Sequence, residues 1–296
     1  MSVIEIKGVK KYFTKEVYAL KHIDLLINEG EMVSLIGPSG SGKSTLMRHI
    51  SGLLLADKNS QSSIRVLGKT IQSKGKLDKD IRTSRAQIGH VFQQFNLVNR
   101  LSVLTNVMVG GLSRIPSYRS LLGWFTAEEK RLALQALDRV GLKNVALKRA
   151  CDLSGGQQQR VAIARALMQK ANVILADEPI ASLDPESSRL VMQTLKDINE
   201  KDGITVVVTL HQVDYAQKYC QRAVALQDGA VFFDEQINQL NQHKLNQLYG
   251  TQAVHSFSED TVSSSNGMNM SNGMPYSQDG TANTEEDHSQ PRSLIN

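Results

Sequence analysis

Gly37-Pro38-Ser39-Gly40-Ser41-Gly42-Lys43-Ser44 stands between the apolar run Met32-Val33-Ser34-Leu35-Ile36 and the segment Thr45–Ile50. The run before it predicts a buried strand and the segment after it the first turns of a helix, the context a phosphate-binding loop requires. Gly37, Gly40 and Gly42 let the backbone curl until successive N–H groups point inward at phosphate oxygens. The N-terminus of the following helix adds partial positive charge at the same place. Lys43 is expected to reach the β- and γ-phosphates, and the Ser44 hydroxyl to help hold Mg²⁺. A nucleoside triphosphate is the expected ligand.

Two further motifs extend this chemistry. In Val173-Ile174-Leu175-Ala176-Asp177-Glu178-Pro179, four apolar residues end in two acids. The carboxyl ends of strands in open α/β sheets face the ligand crevice, so both acids are expected beside the phosphates. Asp177 suits Mg²⁺ binding, and Glu178 suits polarising or deprotonating an attacking water. Leu153-Ser154-Gly155-Gly156-Gln157 precedes a helix expected over Gln158–Lys170. It offers a hydroxyl and free N–H donors as a second anion site, although the same pattern also serves as an ordinary N-cap. This helix leads into the acidic strand, and at ~1.5 Å per residue over about 14 residues its start is expected roughly 20 Å from the acids. On that spacing it cannot serve the same phosphates. Two chains packed head to tail, each offering this site to the other's nucleotide, is the economical arrangement.

The remaining composition bounds the class. The chain has 296 residues, 41% hydrophobic and 21% charged, enough for one α/β domain with a small subdomain. No window approaches the roughly 18 consecutive apolar residues needed to span a bilayer. The start, Met-Ser-Val-Ile-Glu-Ile-Lys, has strand patterning rather than that of a signal peptide. Two cysteines, Cys151 and Cys220, provide neither a disulfide framework nor a zinc site. Together these favour the cytoplasm. Residues 251–296 carry one Arg and six Asp/Glu, a net of −5, so the whole-chain +5 leaves +10 on residues 1–250. A basic body fits nucleic acid or anionic lipid, but no Lys/Arg run is interleaved with aromatics, and no nucleic acid is expected.

Along the chain, strands are expected at Ser2–Val9, His22–Ile27, a hairpin over 64–72, and Ile88–Phe92. Alternation in the first two predicts an antiparallel sheet with one wet face. The chain turns helical from Leu101 to about Lys170, with an amphipathic stretch at Glu128–Val140 capped by Gly141. Val173–Ala176 and Ile204–Thr209 have the continuous apolar pattern of doubly buried parallel strands, and Arg222–Leu226 with Val231–Phe233 form a hairpin. Beyond Tyr249, Ser, Asn, Gly and Thr dominate, and 251–296 is expected to be disordered.

Over residues 2–250 the chain resembles the nucleotide-binding subunits of ATP-binding-cassette (ABC) transporters. The phosphate loop, the Leu-Ser-Gly-Gly-Gln signature and the Asp-Glu pair stand in that family's order and spacing. The resemblance implies a P-loop α/β core of mainly parallel sheet with an antiparallel β subdomain. A helical subdomain would be inserted at about 95–165 of a domain spanning 1–250. It implies ATP and Mg²⁺, with nucleotide contacts from Gly37 through Ser44, Thr45, Ser154, Gly155, Gly156 and Gln157. It matches Gln93 to the glutamine that ligates Mg²⁺ and senses the γ-phosphate, and His211 to the histidine that contacts the γ-phosphate and orients Glu178. Asp184 matches the acid that acts across the dimer, though before Pro185 it equally suits an N-cap. Tyr12 matches the aromatic that stacks on adenine, with Phe13 as competitor.

Finer resemblance, in Phe92–Val107, Ser117–Phe125, Gln157–Arg160 and Ala176–Pro185, is to the ATP-binding subunit of phosphonate importers. It implies a subunit peripheral to the cytoplasmic face of the inner membrane. Its partners would be a second copy of itself and integral-membrane permease subunits, with a solute-binding protein involved only indirectly. The permease's coupling helix is expected near Leu101–Trp124, flanked by Arg100, Arg114 and Arg119, with Leu104 as a candidate contact. Phosphate, phosphite or another small oxyanion is the alternative solute. An export or lipoprotein-release ATPase and a soluble nucleic-acid-associated ABC ATPase are the alternative classes.

Overall fold

A computed structural model describes residues 1–14, 18–58 and 61–250, and the segment 251–296, read above as a disordered tail, lies outside the described residues. Strands β1 (Ser2–Tyr12) and β2 (Tyr18–Asn28) form a long antiparallel pair that begins a five-stranded sheet. Helix α1 (Lys43–Ile50) follows strand β3 (Met32–Ile36) directly after the phosphate loop. β4 (Ser63–Val66), β5 (Lys69–Ser73) and β6 (Lys76–Leu77) complete the antiparallel sheet in the order β2-β1-β4-β5-β6. The short helix α2 (Ile81–Arg85) then leads to β7 (Ile88–Val91). β1 runs three residues past its expected end and β2 starts four residues before its expected start, because the cross-strand pairs Lys11–Leu20 and Tyr12–Tyr18 continue the ladder.

The second sheet positions the site. β8 (Val173–Ala176), β9 (Thr205–Thr209), β10 (Arg222–Gln227) and β11 (Ala230–Gln236) join β3 and β7 in the order β11-β10-β3-β9-β8-β7. Only the β10–β11 hairpin is antiparallel within it. The register aligns Val91 with Ala176, Ala176 with Val208, Leu35 with Thr209, and Ile36 with Ala225. Gly37, Phe92, Asp177 and Leu210 therefore leave the sheet along a single edge. The strands are apolar on both sides because both faces are covered. Val33, Leu35, Val173, Leu175 and Val207 pack in the core shared with α1 and the antiparallel sheet. Ile36, Ile174, Ala176, Val206 and Val208 pack in the core on the opposite, helical side. Alternation along β8 thus assigns the next residue, Asp177, to the α1 side.

Between β7 and β8 lie α3 (Val103–Val109), α4 (Ser117–Leu122), α5 (Ala127–Arg139) and α6 (Gly155–Gln169). The expected helical region is interrupted rather than continuous. Gly110 and Gly111 close α3, and Gly123 at φ 63° ends α4. A capping box between Thr126 and Glu129 starts α5, and Gly141 at φ 71° follows its end. Helix α6 begins at Gly155, three residues before the expected start, because Ser154 and Gln157 form a second capping box. Helix α7 (Pro185–Asp202) follows β8, α8 (Val213–Tyr219) follows β9, and α9 (Gln242–Tyr249) ends the described chain. No helix among the described residues is long and apolar enough to cross a membrane.

Candidate functional site

The phosphate loop is built from its own backbone. Gly42 caps α1 at φ 104°, and a Cβ there would lie 2.5 Å from the Ala19 carbonyl oxygen of β2, so only glycine fits. Lys43 is buried, and its Nζ donates to the Gly37 carbonyl at 2.8 Å and to the Pro38 carbonyl at 3.0 Å. Burial holds its pKa below the ordinary lysine value, and Glu178 and Asp177 pull the other way. The ammonium thus lies within the curl of the loop and in the field of both acids.

Ser44 Oγ donates to Asp177 Oδ1 at 2.9 Å, and Thr209 Oγ1 donates to the same oxygen at 2.9 Å. This joins α1, β8 and β9 through one buried carboxylate, as the alternation of β8 requires. Glu178 turns away from the strand at φ 48°, in the left-handed region. Its backbone N–H donates to Thr209 Oγ1 at 2.6 Å, and its Oε1 lies 2.7 Å from His211 Nε2. His211, Glu178, Thr209, Asp177 and Ser44 are therefore one hydrogen-bonded group, with Lys43 next to Ser44 in the field of both acids. Gln93 lies two residues beyond Val91, whose carbonyl accepts the Asp177 N–H at 2.8 Å, and is exposed at the same edge. Ser44, Asp177 and Gln93 present only oxygen ligands, the donor set that suits a hard dication shared with phosphates.

Thr209 was not among the residues singled out from the sequence, although it is the hub of the two acids. A polar side chain closing the apolar run Val206–Val208 was the signal. Thr209→Val keeps the shape and leaves the Glu178 N–H without its acceptor. We expect a loss of about 1–3 kcal/mol in stability by thermal or denaturant unfolding, together with reduced turnover.

Helix α6 runs away from the acids, but the chain reverses after Gln169 and β8 runs back beside it. A Cβ on Gly155 would lie 3.0 Å from Leu183 Cδ2, and one on Gly156 2.5 Å from Ser187 Cβ, both residues just beyond the acids. The length of α6 is therefore not by itself a measure of its separation from Asp177. Gly156 has a packing reason to be glycine, since α6 meets the start of α7 there. Ser154 Oγ accepts from Gln157 N at 3.3 Å, and Gln157 Oε1 accepts from Ser154 N at 3.1 Å. Hydrogen bonds from the phosphate loop run instead to Asp177, Gly229 and Tyr249.

Asp184 is the N-cap of α7, its Oδ1 accepting from Ser187 N at 2.9 Å, and hydrogen bonding from the Ser187 side chain and then its backbone lowers the Asp184 pKa. Its exposed carboxylate keeps the second role open. Tyr12 pairs in register with Tyr18, their rings 4.7 Å apart, and the next residue, Ala19, touches Gly42. Tyr18 is thus a second aromatic beside the loop, one that the sequence reading passed over.

Around Leu101–Trp124 the outcome is mixed. Leu104 is half-buried against the core, Arg114 is tied to the Met168 carbonyl, and Arg119 is paired with Glu129 at 2.5 Å. Leu104 is thus not an exposed contact, while Arg100 and Arg114 stay exposed. The exposed apolar side chains are instead Val98, Leu101, Val109, Tyr118, Leu121, Leu122 and Trp124. A groove beside β7 is lined by Leu53, Arg82, Phe92, Val109 and Arg165, next to Gln93.

The ABC transporter family model matches residues 20–181. The phosphonates import ATP-binding protein PhnC of Escherichia coli strain K12 is 60% identical over 248 residues, covering 84% of this chain and 94% of the relative. The protein of the same description from Shigella flexneri is 59% identical with the same coverage. Among solved structures, the dimeric ATP-binding cassette MJ0796 in a post-hydrolysis state bound to ADP and Pi is 38% identical, with a TM-score of 0.65 over 80% of this chain and all of that one. The ATP-binding cassette MJ1267 is 27% identical, with a TM-score of 0.71 over 86% of this chain and 98% of that one.

Proposed function

This chain belongs to the ABC transporter family, and from that premise we infer that it is the ATP-hydrolysing subunit of an importer for phosphonates. The observation that supports this reading most is the hydrogen-bonded group Ser44, Asp177, Thr209, Glu178 and His211 beside Lys43, in a chain 60% identical to a phosphonate importer's ATP-binding protein. ABC ATPases dimerise and work with membrane permeases, and the chain is a peripheral, membrane-associated subunit of that kind. In our reading it sits at the cytoplasmic face of the inner membrane.

The chemistry follows from the geometry. The N–H groups of Gly40–Thr45 and the Lys43 ammonium are placed to hold the β- and γ-phosphates. Glu178 accepts a proton from the water that attacks the γ-phosphorus, as the bond to the ADP leaving oxygen breaks. His211, with its proton on Nε2, donates to Glu178 Oε1 and leaves the other carboxylate oxygen for that water. Ser44, Asp177 and Gln93 would hold Mg²⁺, which when bound neutralises charge on the phosphate oxygens. Tyr12, with Tyr18 beside it, is placed for adenine stacking. Ser154–Gln157 and Asp184 face the partner copy in a head-to-tail dimer. The helices of about 95–165 form the subdomain that meets the permease, in the groove beside Val109 and Phe92.

Uptake in cells tests this. Loss of the chain should abolish uptake of an alkylphosphonate while leaving phosphate uptake intact, and Val109→Glu should reproduce the loss with ATP binding retained. Unchanged phosphonate uptake without the chain would overturn the solute. Wild-type uptake by Val109→Glu would overturn the docking groove.

A further inference from the structure

We infer that Tyr249 is a positioning residue for the phosphate loop, which makes helix α9 a working part of the nucleotide site. The backbone N–H of Gly37 donates to the Tyr249 hydroxyl at 2.9 Å, joining residues 212 positions apart. Gly37 is where β3 becomes the loop. Its φ is +140°, and a Cβ there would lie 2.1 Å from the Leu226 carbonyl oxygen of β10. No side chain of its own can hold this position, so its peptide groups do. The Gly37 carbonyl takes the Lys43 ammonium at 2.8 Å, and the Gly37 N–H takes the Tyr249 hydroxyl. The lysine that reaches for phosphate is thus anchored on a residue whose other side is fixed from α9.

Helix α9 is firm enough for this task. Leu245 and Leu248 are buried in the same core as Ile36, the residue before Gly37. Lys244 Nζ ties the helix to both carboxylate oxygens of Glu235 on β11, at 2.6 and 2.5 Å. Asn241 Oδ1 caps its start by accepting from Lys244 N at 3.0 Å. Burial raises the pKa of the Tyr249 phenol, so it is neutral at working pH and accepts through its hydroxyl oxygen. The family model matches residues 20–181, so Gly37 lies within it and Tyr249 lies beyond it.

Tyr249→Phe removes one oxygen and leaves the ring to pack. The full-length variant should bind ATP and ADP more weakly by about tenfold, a difference of about 1.4 kcal/mol, because Gly37 and the Lys43 anchor shift together. The KM for ATP should rise by a larger factor than kcat falls, which a merely structural contact would not produce. Hydrogen exchange read by NMR should show the Gly37 amide protected in the wild type and exposed in the variant. Fluorination of the Tyr249 ring beside the hydroxyl, which weakens the oxygen as an acceptor without removing it, should give an intermediate loss of affinity. Affinities of the variant within twofold of wild type, or a rapidly exchanging Gly37 amide in the wild type, would overturn the inference. It rests on ATP binding at the phosphate loop. A wild-type protein that bound no ATP would sink that reading instead, so the two failures are distinguishable.

Discussion

Replacing Glu178 by Gln should leave ATP binding intact and lower hydrolysis by about 10²–10⁴-fold. The structure makes this substitution a clean test of basicity. The Glu178 N–H keeps its bond to Thr209, and an amide oxygen can still accept from His211, so the φ of 48° and the position of the side chain are retained. What disappears is an oxygen basic enough to take the water proton. With turnover blocked and binding intact, the ATP-bound form should persist as a dimer in size-exclusion chromatography. Hydrolysis at the wild-type rate would remove Glu178 from the mechanism. His211→Ala provides the contrast: the base is kept but its 2.7 Å partner is lost.

Legibility in the sequence followed the range over which the physics acts. The strand, phosphate loop and helix at 32–50 are set by contiguous residues, and β3 and β8 match their expected bounds residue for residue. The site acids were legible because strand ends in a parallel sheet share an edge, a topological rule that needs no side-chain detail. Contacts between distant segments were not legible. Thr209 reads locally as a strand residue, and only the register of β8 beside β9 turns it toward Asp177. Tyr249 lies at the end of α9, and nothing near it in sequence points to Gly37. The half-burial of Leu104 was not legible for the same reason: helical period shows a face, but not which neighbour covers it. The signature's separation from the acids is of a different kind: helix length alone does not give it, because the chain turns back after α6 into β8.

That reversal places the burden of the two-chain site on experiment. Ser154→Arg should block closure of the dimer while sparing ATP binding by the single chain, because Ser154 Oγ bonds to Gln157 rather than to the phosphate loop. The lost cap costs about 1 kcal/mol of stability, too little to unfold the domain. Lys43→Ala should lower turnover by about 10²-fold or more through loss of charge at the phosphates. Mixing the two inactive chains is decisive. In a head-to-tail heterodimer, the intact phosphate loop of the Ser154→Arg chain faces the intact signature of the Lys43→Ala chain. The other interface carries both defects. Turnover should therefore reappear in the mixture, provided one composite site suffices. A Ser154→Arg chain whose own ATP affinity fell as far as that of Lys43→Ala would instead assign the signature to the nucleotide of its own chain. The proximity of Gly155 to Leu183 makes that outcome physically admissible, so affinity of the single chain and turnover of the mixture must be measured together.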